Sequence, residues 1–490
     1  MKRTRIAATK FSRFRTIIFA NTVSPAWCAP PLSTDDASAL VSRHSLVICK
    51  FVAWVGIFFW ITTTMFDAHA GNCQPFSSIA KINVPLPVAE LRLVDCNRDV
   101  LAAQRAYEAV VADRVTAGQR PNPNLTIGAS NINPRVGIGS GSIQDKTIDS
   151  TVRFDQLIER GDKASLREQQ ADAAIRAAKA DWQDVIRQQR LQLRQNYFEL
   201  LYQQARIVTQ QEFATIARDG LNAAEIRLKS GDIAVNETNR FRLDHARAQN
   251  DLRQAEVDAR KAKLEFAKSI GAETVALDLV AERIDLPKDN LKAIAQLANA
   301  DQRADLVAAA NRIEAALAAK ALAASIAARD VTVSAQFEHW PTSAINQQGT
   351  GNSFGLSFSI PLSVRHANEG EVKRASVDLE AARDLLNRLR IQARTEADAS
   401  IDAWRAATER GARTERDLLP LAREVARAAE FAYRNGATSV LDLLDARRTL
   451  KQSELDAAQA STDAGKAWAQ WFASTELMAE PLAESNRTAK

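Results

Sequence analysis

Reactive side chains are scarce in this chain. Beyond residue 70 there are three histidines, His245, His339 and His366, and two cysteines, Cys73 and Cys96. The histidines lie too far apart in sequence for the paired spacing of a helical metal site. No His-Glu-x-x-His, Gly-x-Ser-x-Gly or Cys-x-x-Cys occurs. The glycine-rich run from Gly137 to Ser142 lacks the Gly-Lys-Ser/Thr ending of a phosphate-binding loop and reads as a hairpin loop. An enzyme is therefore not expected, and no cofactor or bound metal is implied. Aromatic residues make up only 6% of the chain against 25% charged residues, a composition of solvated helices rather than of one large core. A basic excess is missing as well. Residues 1–70 hold eight Lys/Arg and three acids, which leaves 56 of each sign in the remainder. A nucleic-acid partner, which needs basic charge in the folded part, is excluded.

What the first 70 residues do have is the chain's one long apolar run, Leu46 to Phe66. Arg43, His44 and Lys50 flank or interrupt its start, and Ala68-His69-Ala70 follows with small residues at the positions a signal peptidase reads. The expectation is a leader over 1–70, cleaved after Ala70. A retained membrane anchor is the other reading, since the run is nearly long enough to span a bilayer. Export suits the cysteines: Cys73 and Cys96 are an even pair closing a short loop, open to a disulfide, to lipidation of Cys73, or to two unrelated thiols.

The rest is two copies of one plan. Gly231 and Gly436 are 205 residues apart, and Glu225/Glu430 and Val235/Val440 keep that offset. "NRDVLAAQRAYEAV" at Asn97 parallels "QRADLVAAANRIEAAL" at Gln302. Duplication on this scale decides the architecture before any local reading does. The expected division is an N-terminal segment 71–96, a first repeat 97–270, a linker 271–301, a second repeat 302–475 and a tail 476–490. Each repeat reads helix, two short strands, long helix, break, helix. Strands are expected at 124–132, 149–158, 331–340 and 353–361, from alternation such as Leu125, Ile127, Ala129 against Thr126, Gly128, Ser130. From Lys163 to Arg218 there is neither Gly nor Pro, enough for a helix of about 84 Å at 1.5 Å per residue. Ile186, Leu193, Leu200, Ile207 and Ala214 recur every seven, as do Val372, Leu379, Leu386, Ala393, Ser400 and Ala407, and Leu443, Leu450, Ala457, Ala464 and Trp471. Heptads predict supercoiling against neighbouring helices, and the many alanines predict close packing with little area buried per helix.

Four strands cannot close a barrel. Their length suits a tilted transmembrane strand, yet an open sheet edge cannot remain in lipid. Several copies pooling their strands would remove the edges and gather the helices into a tube.

These residues resemble the outer-membrane efflux proteins of the TolC type, and within them the outer-membrane component of cobalt–zinc–cadmium efflux systems of the RND class. The resemblance covers about residues 90–475. It is carried by "GQRPNPNLTI" (118–127), "FDQLIERGDKASLREQQADAAI" (154–175), the run 303–341, and "YRNGATSVLDLLDARRTL" (433–450). It implies a mainly α fold with a β-barrel part. Its elements are a duplicated long-helix and β-hairpin repeat, a homotrimeric α-barrel in the periplasm, and a shared twelve-stranded β-barrel in outer-membrane lipid. The implied partners are a periplasmic adaptor (membrane fusion protein) and an inner-membrane RND pump, with the chain a passive duct in a Gram-negative outer membrane. It also implies that Gly231 and Gly436 are turns at the closed periplasmic tip, with Arg227 and Asn435 beside them where an adaptor docks. Asp442 and Asp445 correspond to acids lining the constriction, where three copies of each would form a negative ring. Glu237, Arg240, Arg242, Arg447 and Arg448 are candidates for ion pairs that tie the tip. Glu237 and Arg240 replace an acid pair in the first copy, so the tip is expected to differ between repeats. Other readings remain: a channel for organic or drug efflux or type I secretion, and a periplasmic coiled-coil adaptor.

Overall fold

The computed structural model describes residues 73, 82–132, 140, 147–282, 302–341 and 351–475. The leader, most of the 133–146 loop, most of the linker and the tail lie outside the described residues. The elements are β1 (Ile82–Val84), α1 (Leu86–Cys96), α2 (Arg98–Gly118), β2 (Asn124–Ser130), β3 (Asp149–Ile158), α3 (Lys163–Lys229), α4 (Val235–Ser269), a 3-10 turn (Glu273–Asp278), β4 (Leu279–Ala281), α5 (Ala304–Ser325), β5 (Val331–Trp340), β6 (Gly351–Ser359), α6 (Glu369–Arg413), a π turn (Thr414–Leu418), α7 (Leu419–Arg434) and α8 (Val440–Thr475).

The fold class is the one the sequence implies, mainly helical with one antiparallel sheet. Helix α3 is longer than the Gly- and Pro-free run: 67 residues, about 100 Å at 1.5 Å per residue. It passes through Gly220, whose missing side chain leaves room for the Phe241 ring and Arg447. The corresponding second-repeat run is cut into 45, 5 and 16 residues by the π turn. The cause is Pro420, which has no N–H to donate and whose ring crowds the carbonyl four residues back; widening the preceding turn relieves both.

The helices pack along heptad seams, and these are not all where the sequence places them. In α6, Leu379, Leu386, Ala393, Ser400 and Ala407 are buried in unbroken sevens. In α3 the seam runs Ile186, Leu193, Leu200 and then hops three residues to Gln203, Gln210, Ala217 and Ala224, leaving Ile207 and Ala214 half-buried. A three-residue hop overwinds the packing locally. Helix α4 has its own seam, Phe241, Ala248, Ala255, Ala262 and Ser269.

The largest apolar cluster lies midway along α3. Here β1 and β4 pair in parallel, Ile82 against Leu279, over Leu193, Tyr197 and Phe266. The Tyr197 hydroxyl bridges the backbone of Val84 and Glu282 at 3.2 and 2.8 Å. A disulfide joins Cys73 to Cys96. Near a separate small cluster of Leu306, Ala309, Leu386 and Ala393, Arg303, only 2% exposed, bonds Asp305 at 2.6 Å and Glu396 of α6 at 2.7 Å. Trp404 and Trp471 stack at 5.3 Å where α6 meets α8.

The sheet has the order β2-β3-β5-β6, so the two repeats' hairpins join through β3 and β5. Its register aligns Leu125, Phe154, Ala335 and Leu356 in one row and Ile127, Val152, Phe337 and Phe354 in the next. All these residues share one face, and Phe354 and Leu356 are 83% and 77% exposed. The opposite face is polar: Thr126, Arg153, Gln336 and Gly355 form one row, and Arg153 pairs with Asp155 and donates to Ser334. β2 and β6 are the unpaired edges.

Candidate functional site

The sheet and the helix breaks are at opposite ends of α3. The passage from sheet to helix uses unusual backbone. Gly161 and Asp162 both have positive φ, as does Asn368 at the same place in the second repeat. Asp330 fastens this corner, accepting from the Arg160 backbone at 2.9 Å and from Lys163 Nζ at 2.7 Å, while Arg167 holds Glu159 through two bonds.

The two breaks are one motif repeated. Asp232 N–H donates to the Arg227 carbonyl at 2.8 Å and Gly231 N–H to that of Leu228 at 3.1 Å. In the second copy Ala437 donates to Ala432 at 2.8 Å and Gly436 to Tyr433 at 3.1 Å. Each is a Schellman ending that captures the last helical carbonyls and requires a left-handed residue. Gly231 and Gly436 supply it with φ of 81° and 72°. Gly231→Val or Gly436→Val is expected to cost about 1–2 kcal/mol locally, because an L side chain is strained there. Amide exchange at Asp232 or Ala437 should accelerate by roughly tenfold, with the helix interiors unchanged.

The two turns pack on each other. Phe241, Val440, Leu443, Leu444 and Ala224 form a small buried cluster with Tyr433 and Ile233 at its edge. Arg227 lies over the Tyr433 ring at 5.7 Å and its guanidinium donates to the hydroxyl at 3.4 Å. Asn435 donates to the Phe431 carbonyl at 2.8 Å, closing the end of α7.

Of the charges singled out in the sequence, the structure pairs some and not others. Arg242 pairs with Glu225 at 3.2 Å and Arg447 with Glu430 at 3.6 Å. Each residue of the first pair stands 205 positions before its counterpart, so the duplication repeats a clasp across each break. Arg448 reaches Asp244 at 3.7 Å, joining α8 to α4. Glu237 and Arg240 make no ion pair among the described residues.

Asp442 and Asp445 are both exposed but are not equivalent. Asp442 Oδ2 accepts from the Ser439 hydroxyl at 2.7 Å, the Thr438 hydroxyl at 2.8 Å and the Ser439 N–H at 3.2 Å. Asp442 N–H in turn donates to Ser439 Oγ at 3.3 Å, so Ser439 and Asp442 are a reciprocal capping box that starts α8. The Ser439 hydroxyl first, then Thr438 and the Ser439 N–H, hold the Asp442 carboxyl below its ordinary range. Its charge, and with it the cap, is present above the usual carboxylate pKa and is lost only as pH falls through that lowered value. The first repeat has Ala234 and Glu237 at these places, and α4 starts without a side-chain cap. Asp445 makes no ion pair among the described residues. The Ser-x-x-Asp spacing was readable as a cap in the sequence.

Residues 277–474 match the family model described as outer membrane efflux protein. The match spans about two fifths of the chain, which is similar to that family over this stretch. Members are passive outer-membrane channels of tripartite efflux pumps rather than enzymes, and this chain is such an outer-membrane channel. It is 25% identical over 339 residues to the cobalt-zinc-cadmium resistance protein CzcC of Cupriavidus metallidurans, across 66% of this chain and 76% of that one. Its fold is similar to the crystal structure of VceC from Vibrio cholerae, with a TM-score of 0.64 and 18% identity, over 80% of this chain and 95% of that one. It is also similar to the outer-membrane channel OprN, with a TM-score of 0.65 and 20% identity, over 85% and 98% of the two chains. Among the described residues no helix is long and apolar enough to cross a membrane and no group of acids, His and Cys is arranged to hold a metal.

Proposed function

We propose that the chain is the exit duct of an RND-type tripartite system that exports heavy-metal cations. Three copies pool their sheets into a twelve-stranded barrel in the outer membrane and their helices into a tube through the periplasm. A periplasmic adaptor and an inner-membrane pump engage the end that carries Gly231 and Gly436. The sheet carries this reading: one face is a continuous exposed apolar surface, the other is polar, and both edges are unpaired. Lipid would cover the first face and water the second, and only closure with other copies satisfies the edges. Similarity to a protein named for cobalt, zinc and cadmium resistance supports the cargo class. Mass measurement of the detergent-extracted protein tests the assembly; a monomer or dimer would sink it. Cells lacking the chain but keeping the pump should accumulate zinc, cobalt or cadmium, and unchanged metal content would remove the cargo assignment.

In this duct Asp442 and Asp445 ring the constriction. The capping bonds commit one oxygen of Asp442, whereas Asp445 is exposed and makes no ion pair among the described residues. Asp445→Asn is therefore expected to weaken block of single-channel current by divalent cations in planar bilayers more than Asp442→Asn does. Equal block in wild type and Asp445→Asn would exclude the ring.

A further inference from the structure

On the side of the breaks, α3, α4 and α8 line a partly open cavity of about 160 Å³. Arg247, Arg447, Arg448 and Lys451 face it, against only two acids, Asp244 and Asp251. Its apolar lining is Phe213, Ile216 and Ala217 of α3 with Ala248 of α4. The internal pairs leave charge over. Arg448 takes Asp244 at 3.7 Å and Lys451 takes Asp251 at 2.6 Å. Arg447, its side chain 18% exposed, has Glu430 outside the cavity at 3.6 Å, a long pair. Arg247 makes no ion pair among the described residues. Duplication accounts for Arg447, whose counterpart Arg242 sits in the matching clasp, but not for the others. The positions equivalent to Arg448 and Lys451 are Leu243 and Ala246, and Gln452 stands where Arg247 would repeat. The surplus is therefore not a product of the duplication.

We propose that this cavity is an oxyanion site, taking a phosphate-sized divalent anion between Arg247 of α4 and Arg447 and Arg448 of α8. Guanidinium groups present paired N–H donors that match tetrahedral oxyanions, and Lys451 adds a point charge. The volume accommodates one such ion. An anion there bridges α4 and α8, the helices that leave the two breaks, and so holds this end of the molecule together. Any consequence for conductance rests on the duct reading above; the binding itself does not.

Titration calorimetry on the detergent-purified full chain tests it, using sodium phosphate with sodium chloride of matched ionic strength as the reference. Saturable binding of one phosphate per chain is expected. Arg247→Gln with Arg448→Gln should weaken it by about tenfold or more. Arg240→Gln, a cation of the same end outside the cavity, should leave it unchanged. Heats no larger than with chloride, or wild-type affinity in the double variant, would overturn the site. The wild-type titration stands even if the double variant does not fold. Phosphate binding without any lowering of open probability in planar bilayers would leave the site standing and count against the duct instead.

Discussion

Leu356→Arg is expected to abolish assembly of the channel in the outer membrane. Leu356 is 77% exposed, in a row with Leu125, Phe154 and Ala335. In a closed barrel that row faces hydrocarbon, where an arginine near the midplane costs about 2–4 kcal/mol. In the proposed barrel of three copies the cost is carried three times, about 6–12 kcal/mol, comparable with the whole stability of a domain. Ser357→Arg, one residue on, turns the same side chain to the polar face beside Ser334 and Asp155 and should be tolerated. Membrane fractionation and the heat-sensitive migration of the trimer on gels separate the two. Equal loss with both variants would mean that the face of the strand is irrelevant, and the lipid assignment would fall.

The same alternation explains how much of the molecule could be read in advance. Period two in Phe354, Leu356 and Phe358 placed β6 and its apolar face, and period seven in Leu379 to Ala407 placed a seam that is buried as read. Both signals are local repeats of a physical surface. The seam of α3 was legible only to Leu200, because beyond it the buried positions include Gln203 and Gln210, which do not announce themselves as core. The seam of α4 is not legible in the sequence, because three of its five members are alanines amid dense charge. The offset of 205 placed the breaks, since a left-handed glycine is a sequence-specific demand. The ion pairs around them are long-range, and sequence names the charges without naming partners. Glu237 stands nearer to Arg242 in sequence than Glu225 does, yet the turn brings Arg242 to Glu225. Asp442 was read for its charge, while its geometry also makes it a cap.

Arg303 shows the same limit and carries the other large effect. It reads as one more arginine beside Asp305, yet it is almost fully buried and ties the start of α5 to Glu396 of α6. Burial alone would raise the Asp305 and Glu396 carboxyls. For Asp305 the bond and charge of Arg303 outweigh it; for Glu396 the bonds from Gln392 and Arg303 do so. Both therefore lie below the ordinary carboxylate range. Arg303→Met removes the cation and leaves the partly buried Asp305 without it, which is expected to cost about 2–3 kcal/mol, below the range for a fully buried pair. The sign of the pH dependence follows. Groups with lowered folded-state pKa stabilise fully above their unfolded value, and that contribution fades as pH falls through the lowered one. Wild type should thus lose stability on acidification below the usual carboxylate range. In Arg303→Met burial acts unopposed by that cation, so the gap between variant and wild type is widest at neutral pH and narrows in acid. Unfolding midpoints across that range decide it: a gap that does not change with pH would mean that Arg303 acts by packing rather than by charge.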